Sequence, residues 1–132
     1  MTIELTYLVL SVCLGIVHLL MTSHFTSFQR GYLWTASNRE TEPSPLKGLA
    51  GRIERIAINF LQTFPFFATV VLTAHVAGYH SIFSVIGVLM YFWGRVAFAI
   101  IYAIGIPVLR SLIWNVATLG IILIIVSLLF HM

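Results

Sequence analysis

The sequence predicts an all-α integral membrane protein built as a bundle of four transmembrane helices. Three observations lead to this prediction: 60% of the 132 residues are hydrophobic, only 8% are charged, and the mean hydropathy is +1.02. A soluble domain carries about 25% charged residues, so this chain lacks the polar surface that water must wet. We therefore exclude a soluble globular enzyme, a disordered chain and a nucleic-acid-binding protein. The single cysteine, Cys13, excludes a disulfide framework and a cysteine-rich metal site.

Two uncharged runs account for most of the predicted spans, because a bilayer core about 30 Å thick needs roughly 20 residues of helix. The run from Leu5 to Gln29 predicts one span, and no Lys or Arg precedes it as a cleaved signal peptide would require. The run from Ile56 to Gly94 is too long for one helix and is broken by Gly78-Tyr79-His80-Ser81. Gly105-Ile106-Pro107 predicts a second turn. We predict one membrane domain, residues 1–132, with helices at about 3–25, 56–78, 82–104 and 108–130.

The one long connection, at about residues 30–52, lies in the most basic part of the chain. The basic residues near it and near the other turn on the same side are Arg30, Arg39, Lys47, Arg52, Arg55 and Arg110. The turn at His80 contains no Lys or Arg. Because basic loops remain on the cytoplasmic side, we expect the long connection in the cytoplasm and both termini outside it.

A polar stripe begins the second predicted span. At about 100° per residue, Arg52, Arg55, Asn59 and Gln62 fall within roughly 80° of arc on one helix face. The two arginines alone are compatible with interfacial anchors whose side chains reach the headgroups. The two amides lie deeper on the same face and need partners inside the protein.

The third predicted span carries Tyr91, Arg95, Phe98 and Tyr102 on one face. An arginine in mid-span costs about 2.5–3.5 kcal/mol to insert, so Arg95 should face the bundle interior. Two interpretations remain open for Arg95: a buried ion pair or hydrogen-bond network that holds helices together, with Glu54 as the obvious counter-ion, or contact with a ligand.

The last predicted span begins with Arg110 and Ser111, just after Pro107. A helix N-terminus with an arginine and a hydroxyl can bind an anion or a thiolate, although a basic flank of a span is an alternative explanation. Together the cytoplasmic arginines, amides and tyrosines indicate a pocket for a polyanionic, amide-rich small molecule. The histidines show no metal-ligand spacing, and Trp114 is interpreted as an ordinary membrane aromatic.

Two segments carry a resemblance to a known family. The first is Arg52-x-x-Arg55-x-x-x-Asn59 followed by Phe64-Pro65, and the second is GRVAFAIIYAIGIPVLRS, from Gly94 to Ser111. Together they resemble the MAPEG family, the membrane-associated proteins in eicosanoid and glutathione metabolism, over nearly the whole chain. The GIPVLRSLIW segment is most similar to the bacterial branch of the family. The resemblance implies a homotrimer in a bacterial inner membrane, with glutathione bound between subunits near the cytoplasmic face.

The resemblance also implies roles for individual residues. Arg55 and Asn59 would hold the carboxylates and backbone of glutathione, and Arg110 would stabilise its thiolate. The predicted glutathione-binding residues are Arg52, Arg55, Asn59, Gln62, Arg95 and Tyr102, and the predicted catalytic residues are Arg110 and Ser111, with no metal. Relatives usually carry a glutamate where this chain has Gln62, and a histidine or tyrosine where it has Phe98.

The sequence therefore predicts a glutathione-dependent transferase or peroxidase acting on lipophilic electrophiles or lipid hydroperoxides. The alternative is a non-catalytic membrane protein of the same fold that binds lipid or presents a partner, as one family member does. A small proton-coupled multidrug transporter is disfavoured because the chain has no Asp, and Glu4 and Glu54 lie at the edges of the predicted spans.

Overall fold

The computed structural model describes residues 1–131, and the regular elements within that range are helices. These are α1 (Ile3–Arg30), α2 (Tyr32–Ala36), α3 (Gly48–Val76), α4 (Ile82–Ile104) and α5 (Pro107–Phe130). Four of them, α1, α3, α4 and α5, are long and apolar enough to cross a membrane. The all-α prediction with four spanning helices is therefore confirmed.

Helix α3 begins at Gly48, well before the predicted start of that span near residue 56, and α1 continues to Arg30. The prediction used the limits of the uncharged runs, which mark where lipid contact ends rather than where a helix ends. Arg52 is compatible with helix and is stabilised there, since its Nε donates a 3.0 Å hydrogen bond to the Ala103 carbonyl of α4. The long connection is consequently reduced to residues 31–47, which include the short helix α2.

Two short turns make α3, α4 and α5 successive antiparallel neighbours. At the first turn, Gly78 adopts a φ of 66°, and Ser81 and Ser84 form a reciprocal capping box at the start of α4. At the second, Gly105 ends α4 with a φ of 94°, and Pro107 is the first residue of α5, where its missing N–H costs nothing. This second turn places the C-terminal end of α4 and the N-terminal end of α5 beside the first turns of α3.

Helices α4 and α5 form the most extensive contact in the bundle because small residues face each other along it. A Cβ added to Gly120 would lie 2.6 Å from the Gly87 carbonyl oxygen, and one added to Gly94 would lie 2.9 Å from the Ala117 Cβ. Such spacing lets the two backbones approach closely, as is common between transmembrane helices. The two helices therefore form one platform on which α3 packs.

The apolar core occupies the half of the bundle nearer the turn at residues 77–81. Its fully buried members include Phe67, Val88, Tyr91 and Ile124, and the Phe67 and Tyr91 rings stack with centroids 3.9 Å apart. Toward the other end, the buried interior remains largely apolar but includes the guanidinium of Arg95. The candidate site lies in that half of the bundle.

Candidate functional site

A cavity of about 480 Å³ opens between α3, α4 and α5, and we call it the polar cavity. Its lining residues are Arg55, Ile58, Asn59, Gln62, Phe98, Tyr102, Arg110, Ser111, Trp114 and Asn115. Helical spacing explains the set, because Arg55, Asn59 and Gln62 lie one turn apart on α3. Six of the eight residues predicted to form the site therefore line one cavity.

A second recess of about 370 Å³ adjoins the polar cavity, and we call it the arginine recess. Its lining residues are Arg52, Arg55, Tyr102, Gly105, Pro107 and Arg110. Three of them, Arg55, Tyr102 and Arg110, also line the polar cavity, so the two spaces lie side by side. The recess adds Arg52, the seventh predicted residue, to the same region.

Tyr102 is the side chain on which the two shared arginines converge. Arg55 Nε donates a 2.9 Å hydrogen bond to the Tyr102 hydroxyl oxygen. The guanidinium carbon of Arg110 lies 4.4 Å from the centroid of the Tyr102 ring, within the range of a cation–π contact. One tyrosine thus orients a guanidinium from α3 and another from α5.

Each arginine of the recess forms a hydrogen bond within the protein through its Nε–H group. Arg52 and Arg110 donate their Nε–H groups to the carbonyls of Ala103, at 3.0 Å, and Pro107, at 3.3 Å. Within residues 1–131, no carboxylate forms an ion pair with either of them or with Arg55. Three guanidiniums therefore present uncompensated positive charge to the same space, which is the arrangement expected of a site for a polyanion.

Arg95 lies behind the cavity and does not line it. Only 1% of its surface is exposed, its Nη1 donates a 2.8 Å hydrogen bond to Asn59 Oδ1, and its guanidinium lies 4.8 Å from the centroid of the Phe98 ring. Within the described chain it forms no ion pair with Glu54, so that counter-ion was wrong, and the structure shows the hydrogen-bonded alternative between helices instead. The partner is instead the amide one turn deeper, because Asn59 lies on the helix face that points toward α4.

Three lining residues were missed by the sequence analysis, the apolar Ile58 and two residues of α5. Trp114, interpreted there as an ordinary membrane aromatic, borders the polar cavity, and so does Asn115, whose Nδ2 donates a 2.8 Å hydrogen bond to the Ser111 carbonyl. The signal was present in the spacing, since residues three and four positions after Ser111 share its helix face. Ser111 itself hydrogen-bonds the Pro107 carbonyl through Oγ, at 3.3 Å.

An apolar groove of about 340 Å³ continues from the polar cavity between α3 and α5. Its lining residues are Gln62, Thr63, Phe66, Trp114, Thr118, Ile121, Ile122 and Ile125. Gln62 and Trp114 border both spaces, so a polar compartment and an apolar one meet at these two side chains. The arrangement can accommodate a charged ligand beside a lipophilic one.

Fold and site together define a multi-pass membrane protein with an arginine-lined cavity at one end of a four-helix bundle. The model of the MAPEG family matches residues 5–130, nearly the whole chain. The protein belongs to the MAPEG family, as the second-span motif and the segment from Gly94 to Ser111 predicted. No curated protein and no solved structure matches the chain.

Proposed function

We propose that this protein binds glutathione in the polar cavity and the arginine recess, and uses its thiol for transfer or peroxidase chemistry on lipophilic electrophiles or lipid hydroperoxides. Family membership supports a glutathione-related function in general. The observation that carries the proposal is the convergence of Arg55 and Arg110 on Tyr102. The cavity offers guanidiniums for two carboxylates and side-chain amides for peptide groups, so its residues fit these groups of the tripeptide.

The proposed chemistry depends on the thiolate form of glutathione. A free cysteine thiol has a pKa of about 8.5, and a guanidinium beside the sulfur lowers it, which raises the thiolate fraction at neutral pH. Arg110 is the residue proposed for this role, with Ser111 beside it. Arg55 and Asn59 would hold carboxylate and backbone groups, with Arg52 at the outer rim of the recess and Gln62 at the border of the apolar groove.

The thiolate would attack the second substrate at the border of the groove. With an electrophile, sulfur forms a bond to carbon and the leaving group departs or the double bond takes up a proton. With a hydroperoxide, the thiolate attacks the terminal oxygen, so an S–O bond forms to give glutathione sulfenic acid while the O–O bond breaks and the alkoxide leaves and takes up a proton. A second glutathione then displaces hydroxide as water and yields the disulfide, so two thiols supply the two electrons.

We also propose a homotrimer in a bacterial inner membrane, with the arginine recess at the cytoplasmic side. The exposed apolar residues of α1, among them Val12, Ile16 and Leu19, suit contact with lipid or with a neighbouring subunit. The basic residues of the 31–47 connection and of the recess lie at the same end of the bundle, which supports that orientation.

A second candidate function is non-catalytic binding of a lipid or a protein partner. Phe98 lines the polar cavity as an apolar ring and Gln62 as a neutral amide, and neither supplies charge to a peptide ligand. This candidate predicts that hydrophobic ligands stabilise the protein while no electrophile is consumed in the presence of glutathione.

The test is calorimetric titration of the detergent-purified protein with glutathione. We expect saturable binding that is lost in Arg55→Ala and retained in Arg39→Ala, which removes an exposed guanidinium from the 31–47 connection. Absence of binding by the wild type at millimolar glutathione would overturn the proposal. Equal loss in both variants would indicate a general charge effect and contradict a specific site at Arg55.

A further inference from the structure

The charged residues that line the candidate site are all positive. The chain contains four acidic residues, Glu4, Glu40, Glu42 and Glu54, and none of them lines the polar cavity or the arginine recess. Against this, Arg52, Arg55 and Arg110 line the two spaces. The buried Arg95 adds a fourth guanidinium immediately behind them.

The side-chain amides of the cavity do not supply the negative charge that its lining lacks. Asn59 Oδ1 accepts a hydrogen bond from Arg95, so the Nδ2 donor of Asn59 is the group left for a ligand. Among residues of the described lining, an ammonium group would find only neutral acceptors, such as the amide oxygens of Gln62 and Asn115. The lining is therefore rich in hydrogen-bond donors and lacks any anionic acceptor.

Glutathione at neutral pH carries two carboxylates and one ammonium group. The carboxylates match the guanidiniums, but the ammonium adds a like charge to a cluster of four and gains no counter-ion. Like charges brought together at a binding site reduce affinity unless an opposite charge separates them. The α-amino group is thus the part of the tripeptide that the described lining does not recognise.

Resting on the proposed function, we propose that the site selects its ligand as a polyanion without a free ammonium group, with Gln62 as the residue that sets this preference. Peptide thiols whose γ-glutamyl amine is absent or acylated belong to that class. Gln62 is assigned this role because, of the three side-chain amides in the lining, Asn59 is bonded to Arg95 and Asn115 to the Ser111 carbonyl, whereas the Gln62 amide forms no hydrogen bond within residues 1–131. A carboxylate there would supply the missing anionic acceptor.

The experiment compares the dissociation constants of glutathione, N-acetylglutathione and glutaryl-Cys-Gly, which lacks only the amino group. We expect glutaryl-Cys-Gly and N-acetylglutathione to bind the wild-type protein about two- to fivefold more tightly than glutathione, with a difference that shrinks at high salt. In Gln62→Glu the order should reverse. Asn38→Asp, which adds the same charge on the exposed connection, should leave the order unchanged.

The outcomes separate this inference from the function on which it rests. Tighter binding of glutathione than of glutaryl-Cys-Gly by wild type would overturn the inference and still support glutathione as the ligand. An unchanged order in Gln62→Glu would overturn the role of Gln62. Failure of all three peptides to bind at millimolar concentration would overturn the proposed function and the inference with it.

Discussion

Arg95 and Asn59 are joined by a 2.8 Å hydrogen bond from Nη1 to Oδ1, and this bond determines which way the Asn59 amide faces. A guanidinium only donates hydrogen bonds, so the amide atom beside it must be the oxygen. The Nδ2 donor of Asn59 is therefore left for the cavity that Asn59 lines. Arg95 does not line the polar cavity, but it orients the neutral Asn59 side chain that does.

This relationship predicts that Arg95→Met separates binding from stability. Arg95 is buried with Nε and Nη2 unpartnered within residues 1–131, so an apolar side chain of similar length should leave the melting temperature unchanged or raise it. Affinity for glutathione should fall about fivefold, because one oriented hydrogen bond contributes about 1 kcal/mol. Thermal shift and calorimetry measure the two quantities.

The control for Arg95→Met is a double-mutant cycle with Asn59→Ala. If Arg95 acts through Asn59, the double variant should bind no more weakly than Asn59→Ala alone. Additive losses, or a lower melting temperature with unchanged affinity, would contradict the positioning role.

Tyr102 predicts a split between affinity and thiol chemistry, because its hydroxyl contacts Arg55 and its ring contacts Arg110. Tyr102→Phe should weaken glutathione binding about two- to fivefold through loss of the hydroxyl acceptor. It should leave the pKa of the bound thiol unchanged, as judged by thiolate absorbance across pH. Tyr102→Leu should also raise that pKa, since Arg110 loses its aromatic contact.

A matched variant tests the assignment of the two effects. Arg110→Ala should raise the pKa of the bound thiol toward about 8.5 and lower kcat more than affinity. Turnover that is unchanged in Arg110→Ala would contradict the proposed role of that guanidinium. A thiol pKa raised equally by both Tyr102 variants would show that the hydroxyl, and not the ring, positions Arg110.

Much of this architecture could be predicted from the sequence because lipid imposes a simple rule on composition. Apolar length gave the four spans, and Gly78, Gly105 and Pro107 marked turns that a continuous helix does not tolerate. Helical periodicity then placed Arg55, Asn59 and Gln62 on one face of α3. These inferences need only local geometry.

The rest depended on contacts between helices, which periodicity does not encode. Charge attraction favoured Glu54 as the partner of Arg95, but the relative rotation of α3 and α4 placed Asn59 there instead. The start of α3 was misplaced for a related reason, since Arg52 is stabilised by the distant Ala103 carbonyl. From the sequence, Trp114 cannot be told from any other aromatic residue of a transmembrane helix. Only the position of α5 against α3 makes it a cavity residue.

Close packing of α4 on α5 predicts that Gly120→Leu is disruptive. A Cβ at this position would lie 2.6 Å from the Gly87 carbonyl oxygen and 2.9 Å from the Tyr91 nitrogen, both of which are backbone atoms that cannot rotate away. Overpacking of this kind costs about 1–3 kcal/mol or more, so we expect a melting temperature lower by at least about 5 °C. Val116→Leu enlarges an exposed position of the same helix and should have little effect. Equal melting temperatures for the two variants would contradict the packing.

A substitution at the end of the bundle opposite the site should lower the stability of the protein without weakening glutathione binding. Glu4 is 5% exposed, and its Oε1 accepts a 2.8 Å hydrogen bond from Ser84 Oγ and lies 3.3 Å from His80 Nδ1, tying the start of α1 to the start of α4. A hydrogen bond to a charged group contributes about 1.5–3 kcal/mol, so Glu4→Ala should lower the melting temperature by about 5 °C or more. Glutathione affinity should stay at the wild-type value because the contact lies beyond the apolar core from the polar cavity. Glu42→Ala, which removes an exposed carboxylate, should change neither quantity. A weaker affinity in Glu4→Ala would show that the two ends of the bundle are coupled through α4, and would contradict the separation of core and site described above.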